Sequence, residues 1–137
     1  MRAWSWCSAV ALTAALAGCG QPAPDLFVVE RSGADRNADL RLVVSDGGTV
    51  RCNDDAESKA LDADRLLRAR ELARELAEPT ALGLELERGP GTVLSYRVRS
   101  AGGTVAFSDT SPQRPRVFDR IAGFTDDVAE NVCGVER

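Results

Sequence analysis

The sequence predicts an α+β domain with an antiparallel sheet of about four to five strands, two helices packed on one face of the sheet, and one disulfide. Two stretches of alternating apolar and polar residues each lead into a Gly-Gly turn, which is typical of β-hairpins. An amphipathic helical stretch follows each hairpin. A separate strand precedes the first hairpin, so the order of elements reads β-ββ-α-ββ-α.

The first strand is predicted at residues 26–31, which are rich in Leu, Phe and Val and end before a Ser-Gly pair. Residues 40–45 form the second strand because their apolar side chains alternate with polar ones. Asp46-Gly47-Gly48 supplies residues that tolerate a positive φ, as a tight turn requires, and residues 49–52 form the returning strand.

The second hairpin is predicted at residues 94–107. Residues 94–100 alternate, with apolar side chains on one face and Arg97 and Arg99 on the other. Residues 45–50 and 100–105 are identical in five of six positions. An internal duplication and a shared preference of turns for these residue types both explain that match.

The first helix is predicted at residues 61–78, with Ser58 or Asp62 as its N-cap and Pro79 as its end. Its buried stripe contains Leu66, Ala69, Leu72, Ala73 and Leu76. Residues 80–91 have the weakest pattern, and we expect them to form a mobile loop.

The second helix is predicted at residues 116–132, and Gly134 is its end signal. Its buried stripe contains Val117, Ile121, Phe124, Val128 and Val132. Cys133 then lies beside the face of this helix that packs on the core.

The N-terminus has the features of a secretion signal. A positive start is followed by an apolar run at residues 9–17, which is shorter than the roughly 20 residues that span a bilayer. Leu16-Ala17-Gly18-Cys19 resembles the lipobox of bacterial lipoproteins. The resemblance implies cleavage before Cys19 and acylation of that residue, with palmitate among the acyl chains. A plain signal peptide cut near Ala17 and an uncleaved anchor are the alternatives.

This resemblance divides the chain into a signal peptide at 1–18, a lipidated cysteine with a short linker at 19–25, and one α+β domain at 26–137. It implies an extracytoplasmic protein, lipid-anchored to the bacterial cell membrane. The proline-bearing linker is short, so the domain is expected close to the membrane. The domain has a net negative charge, so we expect it to stand off the lipid surface rather than lie on it.

The cysteines predict one disulfide. Cys7 belongs to the predicted signal peptide and Cys19 to the lipid anchor, which leaves Cys52 and Cys133 to pair in an oxidising compartment. Closing a loop of about 80 residues contributes on the order of 4–5 kcal/mol in the chain-entropy model. A metal or redox site is the alternative, but the sequence has no Cys-x-x-Cys motif and no histidine to complete a ligand set.

The absence of histidine also removes Ser-His-Asp and Cys-His catalysis. Residues 53–57 contain oxygen ligands suited to Ca²⁺, but they lack EF-hand spacing, which favours a polar turn before a helix. Adjacent helical side chains diverge, so Asp126 and Asp127 are expected to be solvated surface groups. The sequence therefore predicts no enzymatic activity, no cofactor and no metal site.

The arginines give the best functional cue. Arg97 and Arg99 project from one face of the second hairpin, and Arg31, Arg41 and Arg51 are expected near them. Together with Arg88 in the predicted loop, Arg97 and Arg99 are the candidate partner-binding residues, and an ordinary solvated face is the alternative. The formal charge of −4 and the scattered basic residues argue against binding to nucleic acid.

A weak family resemblance covers most of residues 26–132. It rests on Glu30-Arg31-Ser32-Gly33, the alternating strand to Val44, the Leu- and Arg-rich helix, Tyr96-Arg97-Val98 with its Gly-Gly turn, and the terminal amphipathic helix. In this order of elements the chain resembles the emfourin-type inhibitors of thermolysin-like metalloproteases, which are small α+β proteins. The resemblance implies binding to a protease without catalysis.

The sequence as a whole predicts a membrane-anchored lipoprotein that acts as a non-catalytic protein-binding module of the cell envelope. Its expected partner is another envelope or secreted protein. Inhibition of a thermolysin-like secreted metalloprotease is one alternative. Binding of a small ligand or an ion is the other.

Overall fold

The computed structural model describes residues 22–135, so the predicted signal peptide and Cys19 lie outside the described residues. The elements, in chain order, are β1 Asp25–Gly33, β2 Leu40–Ser45, β3 Thr49–Cys52, β4 Lys59–Ala60, α1 Ala63–Leu82, β5 Leu94–Ser100, β6 Gly103–Ser108 and α2 Arg116–Val128. A π-helical turn, Ala129–Cys133, continues α2.

The strands form one antiparallel sheet in the order β4-β3-β2-β1-β5-β6. The α+β class is therefore confirmed, but the sheet has six strands where about four to five were predicted. The additional strand, β4, has two residues and so is too short to produce an alternating pattern. The backbone N–H of Leu61, just after β4, donates to the Gly48 carbonyl at 2.9 Å and keeps this segment beside β3.

Both helices pack against the same face of the sheet, which we call the inner face. Its aromatic contacts join strands and helices: the Phe107 ring stacks on Phe118 at 4.6 Å between centroids, and the Phe27 ring meets Phe124 edge-on at 5.8 Å. The largest fully buried side chains include Leu42, Leu72, Leu76, Val98, Val105 and Ile121. Burial of these apolar groups supplies the main driving force for the fold.

Helix α1 begins two residues later than the predicted start at residue 61 and ends four residues later than the predicted end. The Asp62 carboxylate accepts the backbone N–H of Arg65 at 2.8 Å, which identifies Asp62 as the N-cap. The prediction that Pro79 ends the helix is wrong, because α1 runs through Pro79 to Leu82. The buried Thr80 holds this last turn: its hydroxyl donates to the Leu76 carbonyl at 2.7 Å and lies 2.9 Å from the Ser100 hydroxyl.

Part of the segment expected to be a mobile loop is ordered by pairing. After the helix ends, the backbone around Glu85 lies parallel to β6, where the Leu86 N–H donates to the Ala106 carbonyl at 2.8 Å. The Ala106 N–H donates to the Leu84 carbonyl at 2.9 Å. Residues 84–86 therefore cover the hydrogen-bonding edge of β6, as edge strands commonly require.

The disulfide is confirmed. Cys52, at the end of β3, is bonded to Cys133, at the end of the π-helical turn, with 5.9 Å between the Cα atoms. Gly134 follows with a φ of 71°, so the helix end predicted at this glycine is also confirmed. The bond joins the sheet to the last helical segment across 81 residues of chain.

The two hairpins do not share one turn. Ser45 pairs with Thr49, which leaves three residues in the first turn, whereas Ser100 pairs with Gly103, which leaves two in the second. The matching sequence strings therefore sit in different registers. This difference favours turn preference over duplication as the origin of the match.

Candidate functional site

The face of the sheet opposite the helices, which we call the open face, carries the predicted arginines. Side chains alternate along each strand, so cross-strand partners form rows on this face. One row across β3, β2, β1 and β5 contains Arg51, Val43, Val28 and Arg99, and the next contains Arg41, Glu30 and Arg97. No helix of the described residues covers these rows. Arg51, Arg97 and Arg99 are exposed, and Arg41 is half-buried.

The charge of the open face is unbalanced towards positive. Arg41 lies 3.6 Å from Glu30, and Arg97 lies 4.0 Å from Glu85, which belongs to the segment beside β6. Both pairs are exposed and long, so they fix the arginines weakly. Within residues 22–135, no carboxylate forms an ion pair with Arg51 or Arg99. The guanidinium groups are therefore accessible to an anionic partner.

Two valines form an apolar strip between the arginines. Val28 and Val43 are 6% and 4% exposed although no helix lies over them. Their cross-strand partners in the row are Arg99 and Arg51, and the long apolar stem of an arginine can cover an apolar neighbour while its charged end stays in water. The surface that a partner would meet on this face is therefore supplied mainly by the exposed arginines and only slightly by the valines.

The structure brings two of the three candidate residues together. Arg97 and Arg88 line one shallow depression of about 290 Å³, which also contains Glu30, Ser32 and Ser95. The N-terminal side of β1 and the second turn frame another depression, of about 210 Å³, that contains Arg99. The three arginines thus share one side of the molecule but not one pocket.

Arg88 reaches this face because of the chain that precedes it. Residues 84–86 lie beside β6, and the chain turns after Gly89, at Pro90 and Gly91. A Cβ atom at Gly89 would lie 2.0 Å from the Thr110 carbonyl oxygen, so this close approach requires glycine. The Gly89 carbonyl also accepts the Thr92 hydroxyl at 2.8 Å. The position of Arg88 is therefore set by backbone contacts on both sides.

The expectation that Arg31 lies near the other arginines is wrong. Arg31 points to the inner face and is 6% exposed. Its guanidinium donates to Asp126 at 2.8 Å and to the carbonyls of Ala38 and Asn37, both at 2.9 Å. Strand alternation contains the signal that was missed, because Arg31 has the same parity as the buried Val29.

The expectation that Asp126 and Asp127 are solvated surface groups is also wrong, although their side chains do diverge. Asp126 binds Arg31, while Asp127 accepts two hydrogen bonds from Arg65 of α1, at 2.9 and 3.0 Å. Arg68 also donates to Asp127 at 2.9 Å. The two carboxylates therefore attach α2 to different parts of the molecule, β1 and α1.

We call the hydrogen bonds from Arg65 and Arg68 of α1 to Asp127 of α2 the clamp between the helices. These contacts shift the pKa values of the carboxyl groups around Arg65. The Arg65 hydrogen bonds hold the pKa of Asp127 below its usual range, and they outweigh the burial that raises it. The Asp62 carboxylate has a lowered pKa as well, mainly through its bond to the Arg65 backbone N–H. Such charge-assisted bonds stabilise the ionised carboxylates and give the clamp a structural role.

Residues 53–57, whose oxygen atoms were considered as Ca²⁺ ligands, instead shape the backbone after β3. Asn53 adopts a left-handed φ of 56°, and its side-chain oxygen accepts the Arg41 N–H at 3.0 Å. Residues 54–57 are exposed. Across residues 22–135, no group of three or more acidic or cysteine side chains is arranged to hold a metal ion.

A search for relatives found no family model, curated protein or solved structure that matches this chain. Among the described residues, neither helix combines the length and apolar character needed to cross a bilayer. The candidate lipidation site, Cys19, lies outside these residues.

Proposed function

We propose that this protein is an extracytoplasmic lipoprotein, held to the bacterial cell membrane through Cys19, whose domain binds an acidic surface of another envelope or secreted protein without catalysis. The lipobox sequence supports the anchor. The observation that carries the binding role is the open face of the sheet. It presents four arginines in register with one glutamate, around the valine strip.

The chemistry of this face favours a protein partner. Arginine is enriched in interfaces because its planar fork forms paired bonds to carboxylates, and because its stem packs on apolar surface. An acidic segment across the rows would meet Arg51, Arg97 and Arg99, which supply the exposed surface, while Val28 and Val43 remain largely covered.

The shape of the face supports the same choice. The depression at Arg97 and Arg88 holds about 290 Å³ and is open to solvent. A second depression on this face, at Val43 and Arg51, holds about 450 Å³ and is also open, so neither encloses a ligand. Pockets for small ligands commonly enclose about 300–1,000 Å³ and bury most of the ligand surface. The depression suits one projecting acidic side chain of a partner, with Arg97 and Arg88 as its counter-charges.

The test is photocrosslinking in intact cells that express the lipidated protein at native level. A photoreactive residue replaces Thr104 on the open face, and a matched probe replaces Asp119 on the exposed side of α2. We expect one protein to be captured from Thr104 but not from Asp119, with the crosslink mapping to an acidic segment of that protein.

Charge variants sharpen this test. Arg97→Glu with Arg99→Glu should abolish the capture from Thr104, whereas Arg36→Glu with Arg116→Glu, an equal charge change at exposed positions elsewhere, should not. Capture that persists in the first pair, or is lost equally in both, would overturn the proposed face. If the captured protein is a secreted metalloprotease, the inhibitor alternative becomes the specific function.

A further inference from the structure

The first residues of the described chain lie against the turn between β2 and β3. The Pro24 carbonyl accepts the Asp46 N–H at 2.9 Å, and the Ala23 carbonyl accepts the Ser45 hydroxyl at 3.4 Å. A Cβ atom at Gly47 would lie 3.0 Å from the Cβ atom of Ala23, so the segment also contacts the turn itself. This segment therefore belongs to the folded domain.

The segment reaches the sheet from the side of the open face. Ser45 has the same strand parity as Val43, whose side chain lies on that face. The depression of about 450 Å³ at Val43 and Arg51 accordingly includes Pro22 and Ala23 in its lining. The residues that follow the predicted lipid anchor therefore border the proposed binding face.

We call this depression at Val43 and Arg51 the tether depression. Small side chains predominate in its lining, which contains Ala23, Ser45, Gly47, Thr49, Ala56 and Ser58. Its charged residues are Arg51 and Asp25, one of each sign, so charge alone selects no occupant. A lining of small side chains leaves room for a chain that lies along the sheet with its own side chains projecting.

The short distance between Pro22 and the predicted anchor limits what can enter the depression. Three residue steps separate Cys19 from Pro22, and they span at most about 11 Å when fully extended. Because Pro22 lines the tether depression, one end of the depression lies within this distance of the Cα atom of Cys19. Acylation of Cys19 would therefore keep the depression beside the lipid surface in every orientation of the domain.

The narrow space beside the lipid favours an extended chain over a folded domain. A domain of about 100 residues has a radius of gyration of about 13 Å, so it is wider than a gap of about 11 Å. An extended chain packed on a sheet occupies a layer about 10 Å thick, which fits the gap. A protein that is itself anchored in the membrane presents such a chain where it leaves the lipid.

We propose that the tether depression binds an extended segment of a partner protein anchored in the same membrane, at the point where that segment leaves the lipid. This inference rests on the proposed lipid anchor and on the proposed binding face, and it narrows the partner to a membrane-anchored protein. Confinement of both proteins to one membrane raises their effective concentration, so even a weak contact is populated. A freely secreted partner gains no such advantage. The acidic part of the segment follows beyond the depression, over the arginine rows.

The test varies the length of the tether in intact cells that express the lipidated protein at native level. A photoreactive residue replaces Ala56, which is exposed and lines the tether depression, and a matched probe replaces the exposed Asp119 of α2. Each probe is also placed in a chain with about 30 Gly and Ser residues inserted before Pro22, which adds about 30 Å of mean reach. A third chain carries Cys19→Ser behind a cleavable signal peptide without a lipobox. The insertion precedes the first hydrogen-bonded residue, so the melting temperature should not change.

We expect the Ala56 probe, but not the Asp119 probe, to capture one membrane-anchored protein, with the crosslink within about 20 residues of that protein's anchor. The insertion should lower this capture several-fold, and the Cys19→Ser chain should lose it. Capture that the insertion leaves unchanged, capture of a protein without a membrane anchor, or capture from Thr104 alone would overturn this inference but leave the binding face intact. No capture from Thr104 in the lipidated parent would refute the binding face, and a parent chain that does not sediment with membranes would refute the anchor.

Discussion

The two faces of the sheet use arginine for opposite purposes, as Arg31 of β1 and Arg97 of the neighbouring β5 show. Arg31 points to the inner face, where it is 6% exposed and its guanidinium binds Asp126 and two backbone carbonyls. Glu30 points to the open face, where its row partners are Arg41 and Arg97. Arg97 is 56% exposed and has one distant ion pair. Burial and partner number, rather than residue type, therefore separate a structural arginine from an available one.

The inner face also carries the strongest covalent constraint, so the largest expected effect comes from breaking it. Cys52→Ala opens the bond to Cys133 and returns a loop of about 80 residues to the unfolded ensemble, which should cost about 4–5 kcal/mol of unfolding free energy. Urea unfolding curves of the secreted domain measure this loss. A reductant should destabilise the parent chain by a similar amount and leave Cys52→Ala unaffected. An unchanged midpoint would contradict a stabilising role.

The buried arginine should give the next largest effect. Arg31→Met removes the guanidinium that binds the partly buried Asp126 carboxylate and the carbonyls of Asn37 and Ala38, which should cost about 3 kcal/mol. Asp126→Asn in the same background should add little, because the pair is already broken. Fully additive losses in the double variant would show that the two side chains are not coupled.

The clamp between the helices should give a smaller, pH-dependent effect. Since the folded-state pKa of Asp127 lies below its unfolded value near 3.9, its stabilisation is present above about pH 4 and is lost as the pH falls further. Asp127→Asn should remove about 1 kcal/mol at neutral pH and flatten the acid side of the stability profile. Melting curves between pH 7 and about pH 2.5 measure both changes.

A partner variant provides the control for this profile. Arg65→Gln removes two hydrogen bonds to Asp127 but leaves those from Arg68 and Asn131, so it should flatten the acid side only in part. The double variant, Arg65→Gln with Asp127→Asn, should then have the same pH dependence of stability as Asp127→Asn alone. If Asp127→Asn keeps the parent slope, the acid sensitivity of the fold arises from other carboxylates.

Local sequence patterns predict much of the fold. The structure differs from the prediction where contacts between residues distant in sequence determine it. Alternation and Gly-rich turns predicted both hairpins, and helical periodicity predicted both buried stripes. Pattern alone does not reveal that Thr80 bonds Ser100 and so carries α1 past Pro79. The ion pair of Arg65 with Asp127 joins residues 62 apart in sequence, and no local rule predicts it.

The candidate site likewise combines residues whose positions the local pattern predicts with one whose position it does not. The open-face positions of Arg97 and Arg99 follow from strand alternation, so the sequence was sufficient to predict them. The place of Arg88 beside Arg97 depends on residues 84–86 lying along β6 and on the approach of Gly89 to Thr110. These contacts depend on the tertiary fold, and in the sequence this segment had the weakest pattern.

The smallest expected effect tests the comparison of the two faces most directly. Arg97→Met and Arg99→Met remove charge from exposed side chains, of which Arg97 has one long ion pair and Arg99 has none within residues 22–135. Each should change the unfolding free energy by less than about 0.5 kcal/mol. The same substitution at Arg31 provides the scale, measured in the same urea series. A loss at Arg97 comparable to that at Arg31 would mean that the open face is held together by its arginines. Its guanidinium groups would then be occupied within the fold, and the binding role proposed for them would lose its main support.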